Sequence, residues 1–169
     1  NQRVGPYIER SNANAYRLNK LFDGGNLANP VDDPIPETYV LCDVFHFRKV
    51  RIGNNNTSVG TPLLYYKANP VNKQMLFEAN PADSKALNIY DIYDNQQLYE
   101  IERPIGSGVQ TEPHPLSNDE SIFYSDDYKL IDPKVDSVNW PFRSDSYIII
   151  SAGLDGLYGT QDDMLNFEK

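Results

Sequence analysis

The sequence predicts an α+β domain in which one N-terminal amphipathic helix packs across an antiparallel β-sheet. Two observations lead to this expectation. Apolar residues recur at helical spacing near the N-terminus, whereas the rest of the chain carries short runs of β-branched and aromatic residues separated by turn residues. With 169 residues, of which 40% are hydrophobic, the chain has the length and composition of one folded domain, expected to span residues 1–169.

The helix is predicted over residues 6–22. Pro6 is suited to a first helical turn, because its fixed φ matches the helix and its missing N–H would have no partner there. Apolar side chains then follow at i, i+3 and i+4 spacing as far as Phe22. Gly24 and Gly25 favour the left-handed conformation that commonly ends a helix.

Residues 38–151 form the predicted strand-rich body. Its most definite strand is 147–151, which is apolar on both faces and is therefore expected at the centre of a sheet. Residues 53–60 and 104–119 are predicted as loops, and residues 122–130 as either a strand or a short helix. The other predicted strands are 39–50, 63–67, 75–78, 89–93 and 97–101.

The chain is strongly acidic, with a formal charge of −9 and a pI near 4.6. This charge repels phosphate backbones and anionic lipid surfaces, so we expect no nucleic-acid partner and favour divalent cations instead. Cys42 is the single cysteine, which excludes an internal disulfide and a thiolate metal cluster. A lone cysteine in an apolar run is expected to be a small buried residue.

The C-terminal residues 152–169 form an acidic, glycine-rich loop. Asp155, Asp162 and Asp163 fall within nine positions, and their carboxylates repel one another unless a cation or hydrogen-bond donors intervene. Calcium takes about six to eight oxygens from carboxylates and main-chain carbonyls, and glycines let such carbonyls point inward. The spacing is not that of an EF-hand. The alternative is a solvated acidic turn without an ion.

The same region resembles a known family. The run Ser151-Ala152-Gly153-Leu154-Asp155-Gly156, preceded by an aliphatic strand and followed by a glycine-rich turn and an acidic pair, is similar to the C-terminal signature of type II secretion pseudopilins and related prepilin-type proteins. In that family the loop binds calcium and is needed for filament assembly. The resemblance implies calcium ligands from the side chains of Asp155, Asp162 and Asp163 and from the backbone carbonyls of Ala152 and Thr160.

The resemblance also implies a function. We expect a structural, non-enzymatic subunit of a pilin-like filament, with other pilin-like subunits as its partners. Its location would be periplasmic or at the cell surface, with the full-length protein anchored in the inner membrane by an N-terminal hydrophobic helix. Because the chain starts at Asn1 rather than at methionine, we expect that helix to precede it.

Two other functions remain open. A calcium-stabilised extracellular binding module, carbohydrate-recognising or adhesive, would use the abundant tyrosines. A hydrolase would need a pair of carboxylates, for which the sequence offers Asp91, Asp94, Glu100 and Glu102, although surface charge is the commoner role of such residues. No nucleophile motif accompanies either histidine, so no catalytic residue is predicted. His46 is expected to be structural, and His114, between two prolines, to be exposed.

Overall fold

The computed structural model describes residues 13–22, 37–105, 110–128, 130–135 and 137–167. It shows short helices mixed with small antiparallel sheets, which confirms the predicted α+β class. None of the helices in these ranges is long and apolar enough to cross a membrane. The strands are β1 Ala15–Arg17, β2 Tyr39–Leu41, β3 Arg48–Ile52, β4 Asn55–Val59, β5 Leu64–Lys67, β6 Arg103–Ile105, β7 Gln110–Glu112, β8 Tyr147–Ser151 and β9 Met164–Leu165. The α-helices are α1 Leu18–Leu21, α2 Pro81–Leu87, α3 Gln96–Tyr99 and α4 Pro115–Asn118, and 3-10 turns cover Ile92–Asn95, Glu120–Tyr124 and Asp126–Tyr128.

A three-stranded antiparallel sheet organises the larger hydrophobic core. β8 lies between β5 and β9, so the central position predicted for residues 147–151 is confirmed, as is the strand predicted at residues 63–67. Leu64 of β5 and both Ile148 and Ile150 of β8 are at most 1% exposed, because alternate residues of a strand face the same side of the sheet. The isoleucine run favours this strand because β-branched side chains pack well on a pleated surface.

A smaller hydrophobic cluster joins α1 to the β3–β4 hairpin. Leu18 and Leu21 of α1 pack in it with Val59 of β4. Cys42 is buried in the same cluster, as predicted. β1 pairs with β2, β3 with β4 and β6 with β7, each antiparallel. The described residues therefore form four small sheets where one sheet was expected.

The helix predicted over residues 6–22 is wrong in its later part, and residues 6–12 and the glycines at 24–25 lie outside the described residues. Ala15–Arg17 form a strand against Tyr39–Leu41, and only Leu18–Leu21 are helical. Strand pairing satisfies the backbone polar groups of this short segment. Arg17 adds an ion pair with Glu37, 3.1 Å between Nη1 and Oε2. Tertiary pairing has thus overridden a weak helical preference.

The strand predicted over residues 39–50 is interrupted after Leu41 by a buried aspartate. Asp43 is 5% exposed. Its Oδ1 accepts hydrogen bonds from the backbone N–H groups of Thr61 at 3.0 Å and Phe45 at 3.4 Å. These bonds hold a bend between β2 and β3, because the carboxylate satisfies N–H groups that a continuous strand would offer to a neighbour.

Both predicted loops contain a hairpin. Residues 53–60 include β4, which pairs with β3 across a two-residue turn at Gly53 and Asn54. Gly53 has a φ of +63°, a conformation that such tight hairpin turns require. Residues 104–119 include part of β6, all of β7 and the whole of α4. Asparagine and proline content indicated loops, but cross-strand pairing organises both segments.

Three short runs predicted as strands are wrong. Residues 75–78 lie outside any strand, residues 89–93 lead into a 3-10 turn, and residues 97–101 lie largely in α3. Asp91 caps the 3-10 turn, since its side chain accepts a hydrogen bond from the Tyr93 N–H at 3.3 Å. Residues 122–130, left open between strand and helix, form mainly 3-10 turns.

Candidate metal centre

The acidic loop leaves the central strand β8 and returns to it as β9. Ser151 pairs with Met164, so the loop between them is held at both ends by one sheet. Ser151 Oγ also donates to Oδ2 of the buried Asp43 at 2.7 Å, which fastens the start of the loop to the bend after β2. The acidic loop therefore begins in the central strand and ends in its neighbour within the same sheet.

Gly153 lets the two halves of the loop approach each other. Its φ is +61°, and a Cβ built there would lie 2.3 Å from the backbone oxygen of Asp162. Any L side chain would be strained by this conformation and would also collide with the opposite half of the loop. The close approach of the three predicted carboxylates therefore depends on glycine at this position.

Backbone N–H groups of the loop bind each of its three carboxylates. Asp155 Oδ1 accepts from the Leu157 N–H at 2.8 Å, and Asp162 Oδ2 accepts from the N–H of Asp155 at 3.0 Å. Asp163 Oδ2 accepts from the Gly159 N–H at 2.7 Å. These bonds hold the negative groups in one loop and leave the second oxygen of each carboxylate without a backbone N–H donor.

The two predicted carbonyl ligands lie on the same loop. The Ala152 carbonyl accepts from the Gly156 N–H at 3.1 Å, and the Thr160 carbonyl accepts weakly from the Asp163 N–H at 3.4 Å. A carbonyl oxygen has two lone pairs, so each retains capacity for a cation. The Thr160 hydroxyl donates to Asp162 Oδ1. Main-chain oxygens and carboxylates are thus interleaved over a short stretch of chain.

Asp163 is the least satisfied carboxylate of the loop. Its Oδ1 is buried and has no hydrogen-bond partner, and the neighbouring Tyr128 hydroxyl, also buried, completes no hydrogen bond within the described part of the chain. Burial raises the pKa of Asp163 to about 7; the Gly159 N–H and the nearby Tyr128 hydroxyl favour the charged form, although this hydroxyl does not reach hydrogen-bond geometry with Oδ1. A buried carboxylate oxygen without a partner is costly, and a cation is one way of satisfying it.

Asp155 and Asp162 form a coupled pair. Burial raises the pKa of Asp155, and the negative charge of Asp162 adds to this effect, against hydrogen bonds from Leu157 and Thr160. Burial also acts to raise the pKa of Asp162, but hydrogen bonds from Thr160 and Asp155 outweigh it, so that the pKa of Asp162 is lowered. A proton taken up by the pair therefore favours Asp155, and a cation would compete with it there.

Side chains alone do not make a complete ligand set. No group of three or more His, Cys, Asp or Glu side chains is arranged to hold a metal ion within the ranges that the structure describes. The three aspartates share a loop, but a cation among them would need the carbonyl oxygens of Ala152 and Thr160. That mixture of a few carboxylates with carbonyls and water suits calcium and not a transition metal.

His114 supports the loop from behind, contrary to the prediction that it is exposed. It is 3% exposed, its Nδ1 accepts from the Tyr158 N–H at 3.1 Å, and its Nε2 donates to the Ile101 carbonyl at 3.1 Å. Burial lowers the pKa of His114 to about 4, so the ring is neutral. The flanking prolines indicated a loop, and no local pattern pointed to a partner 44 positions away.

The acidic residues considered for a hydrolase have local partners. Asp91 is buried and accepts from Ser84 Oγ at 2.8 Å, Glu100 accepts from Gln96 Nε2 at 2.7 Å, and Glu102 accepts from the Thr111 hydroxyl. Burial, together with the charge of Asp91, raises the pKa of Asp94. Three of these four carboxylates thus take part in capping and packing contacts.

No protein-family model, curated protein or solved structure matches this chain. The similarity of its C-terminal run to pseudopilins therefore stays a prediction.

Proposed function

We propose that this chain is the soluble domain of a pilin-like filament subunit, and that its C-terminal loop binds calcium. The main support for calcium binding is that Asp163 Oδ1 is buried without a hydrogen-bond partner, in a loop that contains two other aspartates. The filament part is supported by the order of strand, glycine-bearing acidic loop and acidic pair, which resembles the pseudopilin signature.

Calcium would satisfy the groups that the loop leaves incomplete. Asp155 and Asp163 would contribute carboxylate oxygens, Asp162 would contribute charge, and Ala152 and Thr160 would contribute carbonyls. The ion supplies positive charge that offsets the repulsion among the aspartates. Water would complete the shell, because calcium accepts about six to eight oxygens in flexible geometry.

An exposed apolar surface next to the loop supports a role in subunit contacts. Val44 and Phe47 are 60% and 56% exposed, and Leu154 of the loop is 72% exposed. His46 connects the two segments, since its Nδ1 lies 3.1 Å from the Leu154 carbonyl oxygen. Exposed aromatic and aliphatic side chains on two segments that contact each other suit an interaction site. Ordering of the loop by calcium would hold Leu154 in this surface and so couple ion binding to assembly.

The pilin-like arrangement further requires a helix that leads into β1 and packs across a sheet. Within the described residues only the four-residue α1 follows β1, with Leu18 and Leu21 buried beside the β3–β4 hairpin. The hydrophobic helix itself is proposed for the sequence encoded before Asn1. A basic leader followed by about twenty apolar residues in the full-length gene would support this proposal. A conventional cleaved signal peptide would contradict it.

Thermal unfolding in calcium and in chelator tests the metal site. At a calcium concentration a hundredfold above the dissociation constant, the ion should stabilise the folded state by about 2.7 kcal/mol and raise Tm by about 5–10 °C. Asp163→Asn should remove this rise and leave the ion-free protein at least as stable, because it removes a buried charge. Asp126→Asn, which removes an exposed charge, should keep the rise. Equal melting in calcium and chelator, for protein shown to be metal-free, would leave the loop an ordinary acidic turn.

Assembly of the full-length protein tests the filament. Phe47→Ser and Leu154→Ser should prevent calcium-dependent assembly while the soluble domain keeps its Tm, because both side chains are already largely in water. Assembly that is unaffected by both substitutions would remove this surface from the proposal.

A second function is favoured by one observation. Tyr65 and Tyr147 are 51% and 44% exposed and lie on paired strands with ring centroids 5.7 Å apart. Exposed aromatic rings of this kind suit stacking against sugar rings, as a carbohydrate-recognising module would need. Saturable binding of an oligosaccharide that Tyr65→Ala abolishes would favour this function over the filament.

A further inference from the structure

A small cavity lies behind the acidic loop, between β3, β6 and His114. It encloses about 20 Å³ and opens to solvent. Its walls are mainly apolar, with Phe22, Leu98 and Ile101 among them, and Tyr158 of the loop contributes to one side. Such a volume accommodates one or two water-sized groups. Two arginines, Arg48 and Arg103, line this space together with a single carboxylate, that of Glu102.

Arg48 reaches the cavity from β3 and lacks a counterion. Its guanidinium carbon lies 4.4 Å from the centre of the Phe22 ring. Nη2 is buried without a hydrogen-bond partner, and no carboxylate forms an ion pair with Arg48 in the described part of the chain. Burial lowers the pKa of Arg48 to about 10, which leaves it charged at neutral pH. A guanidinium nitrogen that is buried without a partner is unfavourable, even in a side chain that is itself only half-buried.

Arg103 supplies a second unsatisfied donor to the same cavity. Its Nη1 donates to the Asp155 carbonyl at 2.8 Å, and its Nη2 forms an ion pair with Glu112. Its Nε is buried without a partner. The side chain is therefore fixed in place by two of its nitrogens, while the third remains available.

The other polar groups of the cavity do not neutralise Arg48. Glu112 pairs with Arg103, and Glu102 accepts the Thr111 hydroxyl. Both ring nitrogens of His114 are engaged by backbone groups. Glu112 balances the charge of Arg103, and Glu102, which lines the cavity, forms no ion pair with Arg48 within the described residues, so that Arg48 has no direct counterion.

We propose that this cavity binds a small carboxylate, held by Arg48 Nη2 and Arg103 Nε. A carboxylate has two oxygens for two N–H donors and one negative charge for one uncompensated guanidinium. The enclosed space is close to the size of a carboxylate group and is small for a tetrahedral phosphate. Neither the filament nor the calcium site is needed for this inference.

Thermal unfolding in sodium formate tests the site, with calcium held constant. We expect Tm of the wild type to rise saturably, on the order of 3–6 °C when formate is tenfold above its dissociation constant. Arg48→Met should lose the rise and, without formate, should melt no lower than the wild type, because methionine fills the space without a charge. Arg51→Met removes an exposed arginine from the same strand and should keep the rise. Subtracting the Arg48→Met curve removes general salt effects.

Three outcomes would overturn the proposal. They are the absence of a saturable rise in the wild type, an equal rise in Arg48→Met, and a larger rise with phosphate than with formate. Should Arg48→Met fail to fold, NMR of the wild type decides the question. The side-chain Nε–H signals of Arg48 and Arg103 must then shift saturably with formate while that of Arg51 does not.

Discussion

The buried imidazole of His114 makes the stability of the domain depend on pH. Its two nitrogens bond to backbone groups of Ile101 and Tyr158, and this arrangement needs the neutral ring. Protonation would force a charge into a buried site and remove the acceptor for the Tyr158 N–H. Acid should therefore loosen the contact between His114 and the acidic loop.

The size of the effect follows from two pKa values. The folded state keeps His114 neutral down to about pH 4, whereas the unfolded chain takes up the proton near 6.5. Between these values the unfolded state binds more protons, so stability is retained above about 6.5 and lost as the pH falls. The whole gap corresponds to about 3 kcal/mol, and the step from about pH 7 to about pH 5 to about 2 kcal/mol.

Urea unfolding of the wild type and His114→Gln at these two pH values measures the effect. Asp163, with its raised pKa, acts in the opposite direction over the same range, so the diagnostic quantity is the difference between the two proteins. His114→Gln should have a lower free energy of unfolding than the wild type near neutral pH. This difference between the two proteins should become about 2 kcal/mol smaller near pH 5. A gap for His114→Gln that is the same at both pH values would refute the reasoning.

Three further predictions concern the loop. Asp155→Ala and Asp162→Ala should each remove most of the increase in Tm that calcium causes, as measured by calorimetry. Magnesium should substitute poorly for calcium, because it requires a smaller octahedral shell. A full increase in Tm in either variant would contradict the proposed ligand set. Without calcium, the raised pKa of Asp163 makes the free energy of unfolding fall as the pH rises toward about 7. The increase in Tm caused by calcium should therefore be larger at about pH 8 than at about pH 6. An increase that is the same at both pH values would exclude competition between calcium and the proton at Asp163. In urea unfolding, Gly153→Ala should lower the free energy of unfolding more than Gly53→Ala does. The two glycines have similar φ values of +61° and +63°, but only a Cβ at residue 153 would collide with neighbouring atoms. Gly53→Ala should cost about 1–2 kcal/mol, and an equal cost for Gly153→Ala would mean that the acidic loop accommodates the methyl group.

The parts of the fold that the sequence predicts correctly are those with strong local patterns. β8 contains three consecutive isoleucines, so both its strand character and its central position follow from composition. α3 and the 3-10 turn before it are each four residues long, too short for a helical period to be distinguished from alternation. The predicted helix ending at Phe22 fails for another reason, since pairing with β2 decides the conformation of residues 15–17 and that partner is distant in sequence.

The candidate metal site likewise has features that the local sequence predicts and features that depend on distant residues. The three aspartates lie in one short segment, so their grouping follows from the sequence. The burial of Asp163 beside Tyr128 and the burial of His114, which accepts a hydrogen bond from the Tyr158 N–H, join segments distant in sequence, and local spacing indicates neither. Arg48 lies in a strand with other basic residues, a pattern that suggests a solvated face, and only the packing of Phe22 on its guanidinium shows otherwise.

The position of β8 has a consequence for the order in which the chain can fold. β5 and β8 are about eighty residues apart, and Lys67 pairs with Tyr147. During synthesis, the apolar face of β5, with Leu64 and Tyr66, must wait for nearly the whole chain before its neighbour exists. Pairing of such distant segments is slow because loop closure precedes any gain in contacts. Chains truncated before residue 147 should therefore keep β5 as an open edge and aggregate, and a chaperone that holds extended segments would act on this domain until its last residues emerge.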